Sequence, residues 1–244
     1  MPNLSGRIAV VTGASRGIGY AAALALAEAG AHVYAVARTV GGLEELDDEI
    51  RKAGGTATLV PADLKDFAAI DRLGMSLYER HGKLDMLLGN AGLLGAITPL
   101  AHLEPKVWED VIAVNVTANW RLIRSLDPLL RQSDAGRALF VSSGAARGVR
   151  AYWGIYAVSK AALEMLVRTY AVEVQQSRVR VNLLDPGVLR THMRAQAMPG
   201  EDPETLPPPS TIAPEVVRLL SPEVTENGRV YSVRQKRFLD TASQ

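Results

Sequence analysis

Apolar positions along this chain fall into short, nearly unbroken runs. Longer stretches separate them, and there apolar residues recur every three or four positions. Ile8-Ala9-Val10-Val11-Thr12 is one such run, and the alanine-rich stretch from Gly17 to Gly30 has helical spacing and stops at a glycine. The alternation predicts strands at 7–12, 32–37, 58–61, 84–89, 138–142, 179–184 and 229–233. It predicts helices at 17–30, 43–53, 67–80, 105–130 and 152–176. Strands without polar alternation belong in a parallel sheet covered by helices on both faces. Right-handed crossovers leave a doubly wound, Rossmann-type α/β sheet in three αβα layers as the simplest topology, with the seventh strand at its edge.

The chain has 244 residues, the length of one such domain, expected to run 1–244. About 191–210 is the irregular part, with Pro199, Pro203 and Pro207-Pro208-Pro209. A loop of that length is expected to serve as a substrate lid. Hydrophobic residues make up 48% and charged ones 22%, an ordinary globular balance with enough apolar surface for a large core. The cysteine count of 0 excludes disulfides, thiolate metal sites and cysteine nucleophiles, and no metal is expected. A net charge of +1 gives no electrostatic grip on nucleic acid or an acidic membrane. The first residues lack a signal-peptide run, and no apolar stretch reaches the ~20 residues that span a bilayer. A cytoplasmic protein is expected, without nucleic-acid or membrane partners.

Candidate chemistry begins where the first strand meets the first helix, at Thr12-Gly13-Ala14-Ser15-Arg16-Gly17-Ile18-Gly19. Gly13 permits a tight turn. Gly17 and Gly19 let a dinucleotide pyrophosphate approach the backbone and let the helix pack on the sheet. The helix N-terminus then offers N–H groups and a positive dipole to the phosphates. At the end of the second strand an acidic residue would bind the 2′-hydroxyl of NAD. The chain has Ala37-Arg38 there, and Arg38, with Arg16, suits a 2′-phosphate, so NADP(H) is favoured over NAD(H).

Tyr156 and Lys160 stand four apart in the last long helix, one turn apart on one face. A neighbouring ammonium favours phenolate and would make Tyr156 a better acid–base group. Ser142-Ser143 closes the fifth strand, where a hydroxyl can hydrogen-bond a developing alkoxide. Asn90-Ala91-Gly92 closes the fourth strand. Asn115 lies mid-helix, an unfavourable place that points to a special task.

Taken together, the 12–19 segment, Asn90-Ala91-Gly92, Asn115, Ser143, Tyr156-x-x-x-Lys160 and Pro186-Gly187-x-x-x-Thr191 resemble the short-chain dehydrogenase/reductase family in its compact single-domain branch. The resemblance spans nearly the whole chain. It implies a seven-stranded sheet in the order 3-2-1-4-5-6-7, Tyr156 as general acid/base and Ser143 as positioner of the substrate oxygen. It also implies that Lys160 binds the nicotinamide ribose and that Asn115 holds a water in a proton relay. Asp63 and Leu64 would meet the adenine, and Asn90, Ala91 and Gly92 the cofactor's middle. Pro186, Gly187 and Thr191 would meet the nicotinamide end, completing a cofactor set that starts with Gly13, Ser15, Arg16, Gly17, Ile18 and Gly19. Gly89 departs from the family, many of whose members have a second asparagine there. The 225–231 segment lacks the usual Val-Asp-Gly-Gly ending, which bears on the family's tetramer contact at the last strand. Asn90 to Gly95, Ser133 to Gly136 and Met193 to Pro203 look similar to a bacterial subgroup of unassigned substrate.

The function so implied is hydride transfer between nicotinamide and a carbonyl or secondary alcohol of a small molecule. Leu93, Leu94, Ala145, Trp153, Val188 and Met193 map around the substrate place and suggest an apolar one. Arg147 and Arg150 lie between Ser143 and Tyr156, where they could bind an acidic substrate, but are expected at the surface or a subunit contact. Two alternatives are a 3-oxoacyl-carrier-protein reductase and a cofactor-binding regulator without catalysis. Asp134 stands at one place where carrier-protein reductases have a basic residue, while Arg178 is near the other, and the complete Asn115–Ser143–Tyr156–Lys160 set opposes loss of catalysis. A homodimer or homotetramer is expected through the two long helices, with Leu163, Leu166 and Val167 on more than one side of the second.

Overall fold

The apolar runs form strands and pair in parallel: β1 (Ile8–Thr12), β2 (His32–Ala37), β3 (Thr56–Pro61), β4 (Met86–Gly89), β5 (Arg137–Val141), β6 (Arg180–Asp185) and β7 (Val230–Ser232). The structure, a computed structural model, describes residues 2–239; Met1 and residues 240–244 of the expected domain lie outside the described residues. Every residue of β1 and β5 is buried, as a sheet covered on both faces requires. The expected count of seven is corrected to eight. A two-residue strand, β8 (Arg237–Phe238), turns back antiparallel on β7, giving the order β3-β2-β1-β4-β5-β6-β7-β8. The polar turn before it places Lys236 in the left-handed region, at φ 51°.

Helices α1 (Gly17–Glu28), α2 (Val40–Lys52) and α8 (Ala213–Leu219) cover one face, around Leu26, Leu43 and Val216. Helices α3 (Phe67–His81), α5 (Ala118–Gln132) and α6 (Gly154–Glu173) cover the other, around Leu77, Leu126 and Val167. α3 illustrates the local cause. Asp66 accepts from Ala69 N at 3.2 Å at its start, and Gly82, at φ 67°, ends it. Phe140 is fully buried in the second core, where truncation to alanine costs ~3–5 kcal/mol. Gly89 exists because of Phe140: a Cβ on it would lie 2.4 Å from Phe140 Cδ1. An asparagine at 89 has no room.

Three expected boundaries change. The helix predicted over 105–130 is interrupted: α4 (Pro105–Ile112) passes through a π turn (Ala113–Thr117) into α5. Such wide turns are characteristic of functional positions, and Asn115 sits in this one. The helix predicted from 152 starts at Gly154, because Tyr152 is left-handed at φ 72°. The 191–210 stretch is not a bare loop. It contains α7 (His192–Ala197), whose first turn is capped by Thr191 Oγ1 accepting from Arg194 N at 3.1 Å. Arg194 pairs with Glu201 at 2.5 Å and Arg190 with Glu204 at 2.6 Å, which ties the stretch to itself.

At the amino end of the sheet, fully buried Asp85 accepts from Ile8 N at 2.9 Å, Ser133 Oγ at 2.6 Å and Arg7 at 3.2 Å. This pins β1 and β4 to the end of α5. The opposite edge, at the carboxyl ends of the strands, is left open.

Candidate active site

A cleft of about 2020 Å³ runs along the carboxyl ends of the strands. Every proposed cofactor residue lines it except Gly19, and every proposed catalytic residue lines it except Asn115. Both exceptions have a physical reason. A Cβ on Gly19 would sit 2.2 Å from Gly13 O and 2.5 Å from Asn90 Nδ2, so Gly19 serves the packing of α1 on the turn beneath it. Asn115 is completely buried.

The phosphate end is built from backbone. Gly13 is left-handed, at φ 68°, and a Cβ there would meet Asn90 Nδ2 at 2.9 Å. Asn90 Nδ2 donates to Thr12 O at 2.9 Å, and Thr12 Oγ1 accepts from Asn90 N and Ala91 N at 3.0 and 3.1 Å. These bonds lock the glycine turn to the end of β4. No side chain caps α1, so its first N–H groups face the cleft. Arg16 and Arg38 line the same end, and neither has an ion-pair partner among the described residues. Ala37 is buried, and Asp63 lies at this end with Oδ1 accepting from Lys65 N at 2.9 Å.

At the chemical end, Tyr156, Ser143 and Lys160 line the cleft together. Burial raises the Tyr156 hydroxyl above its ordinary value, and a side-chain hydrogen bond with Ser143 opposes the rise. Lys160 Nζ donates to Val141 O at 2.7 Å and lies 5.8 Å from the Tyr156 ring centroid. Burial also pulls the Lys160 ammonium down to about 8. Ser143 Oγ also accepts from Ala145 N at 3.2 Å. Ser142, its neighbour, is committed: Oγ donates to Glu164 at 2.7 Å.

Asn115 Nδ2 donates to Leu93 O and Ser159 Oγ, both at 2.9 Å, and Oδ1 accepts from Leu93 N at 2.8 Å. Ser159 Oγ donates to Tyr156 O at 2.8 Å. Asn115 therefore braces both the strand-end segment and the helix that carries Tyr156. Leu93, Leu94, Ala145, Trp153, Val188 and Met193 all line the cleft as expected, and Trp153 stands edge-on to Tyr156 at 6.1 Å. Arg150 also lines it and lies over the Trp153 ring at 5.1 Å. Sequence reasoning missed Ser159, Glu164 and Asp185, none of which belongs to a pattern readable along the chain. It placed Arg147 at the surface, where the residue does lie, but missed its ion pairs with Glu164 and Asp185.

A family model described as short chain dehydrogenase matches residues 7–202. The chain belongs to the short-chain dehydrogenase family. The oxidoreductase YciK of Escherichia coli K12 is 42% identical over 214 residues, covering 86% of this chain and 84% of that protein. A rhamnolipid-biosynthesis 3-oxoacyl-[acyl-carrier-protein] reductase of Pseudomonas aeruginosa is 36% identical, over 87% of this chain and 83% of that one. A short chain dehydrogenase of Escherichia coli CFT073, solved in complex with NADPH, superposes with a TM-score of 0.88 at 39% identity, covering 94% and 97%. As a member of this family the chain is an oxidoreductase working with a nicotinamide cofactor. Among the described residues no helix is long and apolar enough to cross a membrane.

Proposed function

We propose that this protein transfers a hydride between NADP(H), favoured over NAD(H), and a carbonyl or secondary alcohol on a small, apolar molecule. The observation that carries the reading is the meeting of Tyr156, Ser143 and Lys160 in the same cleft that the glycine turn opens. The residues fit the cofactor. Its phosphates would be held by the turn from Gly13 through Ser15, Arg16, Gly17 and Ile18, a cradle that a Cβ at Gly13 would distort. Arg38 and Arg16 would read a 2′-phosphate, Asp63 and Leu64 the adenine, and Asn90, Ala91 and Gly92 the middle. Pro186, Gly187 and Thr191 would hold the nicotinamide end.

The bound nicotinamide supplies or accepts the hydride. In the reducing direction Tyr156 Oη gives its proton to the substrate oxygen, and Ser143 Oγ donates a hydrogen bond to that oxygen as charge develops on it. Lys160, one turn from Tyr156, binds the ribose and keeps a positive charge near the proton donor. A water beside Asn115 returns a proton to Tyr156. The apolar walls at Leu93, Leu94 and Trp153 exclude bulk water and favour an apolar ketone. The whole works as one domain, with 191–210 as its lid, assembled as a homodimer or homotetramer in the cytoplasm.

The carrier-protein alternative draws no support from Asp134. That residue pairs with Arg7 at 2.9 Å, at the amino edge of the sheet and away from the cleft.

Tyr156→Phe tests the reading directly. In NADPH oxidation over a panel of apolar ketones, kcat falls ~10²–10⁴-fold, the range general acid–base catalysis supplies, while folding and NADPH binding persist. Retention of more than half the activity would remove Tyr156 from its role.

A further inference from the structure

Arg147 lies in the stretch between Ser143 and Tyr156, and its guanidinium ends on two carboxylates from different elements. Nη1 pairs with Glu164 on α6, and Nη2 pairs with Asp185 at the end of β6. Arg147 itself lies at the surface, but the two carboxylates it reaches are sheltered, their side chains 7% exposed for Glu164 and 15% for Asp185. Each carboxylate holds something else. Glu164 Oε1 accepts from Ser142 Oγ at 2.7 Å, and its other oxygen meets Arg168 at 3.5 Å. Asp185 Oδ1 accepts from Gly187 N at 3.2 Å.

The two ends of this bridge are the two halves of the site. On one side stands Ser142, directly before Ser143. On the other stands Gly187, in the turn that follows β6. A planar guanidinium presents its N–H groups at fixed angles, so it sets a distance and an orientation between two acceptors. An ammonium, a point charge on a flexible stem, does not. Two arginines face two carboxylates, so Arg147 has no charge left over for an acidic substrate.

We propose that Arg147 is a positioning residue that fixes the Ser143 loop against the turn after β6. It thereby sets the spacing between the group that orients the substrate oxygen and the segment that holds the nicotinamide. This inference rests on the roles given above to Ser143, Pro186 and Gly187. A reacting geometry displaced by about 1 Å can lose on the order of 10²-fold in rate with binding little changed.

Two variants, Arg147→Gln and Arg147→Lys, test it, with two readouts. The first needs no substrate: hydrogen–deuterium exchange of the protein without added cofactor, followed in peptides covering 143–153 and 186–190. Arg147→Gln raises exchange in both segments together, although they are far apart in the chain. A rise in only one, or in neither, overturns the bridge. The second is the kinetics of the ketone that the wild type reduces fastest with NADPH. Arg147→Gln lowers kcat about tenfold to a hundredfold, while the KM values for ketone and NADPH move less than about threefold. Arg147→Lys, which keeps the charge and loses the fork, falls between the two. A kcat within twofold of wild type for Arg147→Gln overturns the proposal. If the glutamine variant does not fold, the lysine variant decides alone, and wild-type kcat there overturns the requirement for a fork. Failure of the catalytic reading is separate: it shows as an active Tyr156→Phe, whatever the exchange experiment gives.

Discussion

Lys160 Nζ and the carbonyl oxygen of Val141 are 2.7 Å apart, and that bond commits the site's buried ammonium to the end of β5. Its cost predicts a pH dependence. The ammonium titrates at about 8 in the folded protein against 10.5 in the open chain. Between those values the unfolded state binds more protons, so stability rises with pH across that window. Below it the buried charge costs roughly 3 kcal/mol, at about 1.4 kcal/mol per pH unit. Lys160→Met removes that cost and leaves the Val141 carbonyl unpaired, which costs ~1–3 kcal/mol. The expected balance at pH 7 is a thermal midpoint about 2–4 °C above wild type, with activity lost. The gap narrows as pH rises from 8 towards 10.5. Thermal unfolding of both proteins across that range checks it, and a variant less stable at pH 7 with a constant gap would contradict it.

Cofactor choice turns on Ala37 and Arg38. Ala37 provides no carboxylate for a 2′-hydroxyl and no charge against a 2′-phosphate. Arg38 and Arg16 have no ion-pair partner of their own among the described residues. A hydrogen bond to a charged group contributes ~1.5–3 kcal/mol, a preference of about tenfold to a hundredfold. Calorimetry is expected to give tighter NADPH than NADH binding, and Arg38→Ala to weaken NADPH alone. Equal weakening of both cofactors would mean that Arg38 holds the loop and does not read the phosphate.

Assembly is expected through α6. Its Leu163 and Val167 are buried against the protein's own sheet. Val158, Met165 and Val172 instead form an outward stripe at seven-residue spacing, 44%, 65% and 62% exposed. Apolar side chains so aligned suit a partner helix. Light scattering at micromolar concentration is expected to give a dimer or larger for wild type and a monomer for Met165→Glu. A monomeric wild type would remove the helix face as an interface.

Seven strands were legible because a doubly buried strand must be apolar at nearly every position, as in β1. β8 was not, since Arg237 and Phe238 are too few to show a period. The π turn was hidden for another reason: Asn115 makes its bonds with Leu93, 22 residues earlier, and Ser159, 44 later. The glycine turn and the Tyr156–Lys160 pair were readable because their chemistry lies within one turn of chain. The Arg147 bridge to Asp185 was not, because it spans 38 residues and links three elements. Tyr156 shows a further limit. Spacing placed Lys160 one turn from the ring, but the burial that raises the Tyr156 hydroxyl comes from the fold.

β8 has a consequence for what this sheet can join. An edge strand with free N–H and C=O groups is a template on which another chain can add. Here the outer side of β7 pairs within its own chain, Tyr231 with Phe238 and Ser232 with Arg237. Among the described residues the new edge is two residues long and offers little for a neighbour to extend. At this border, then, little backbone is left on which a further strand could be laid, and the longer strand at the opposite edge, β3, is the one with an unpaired outer side.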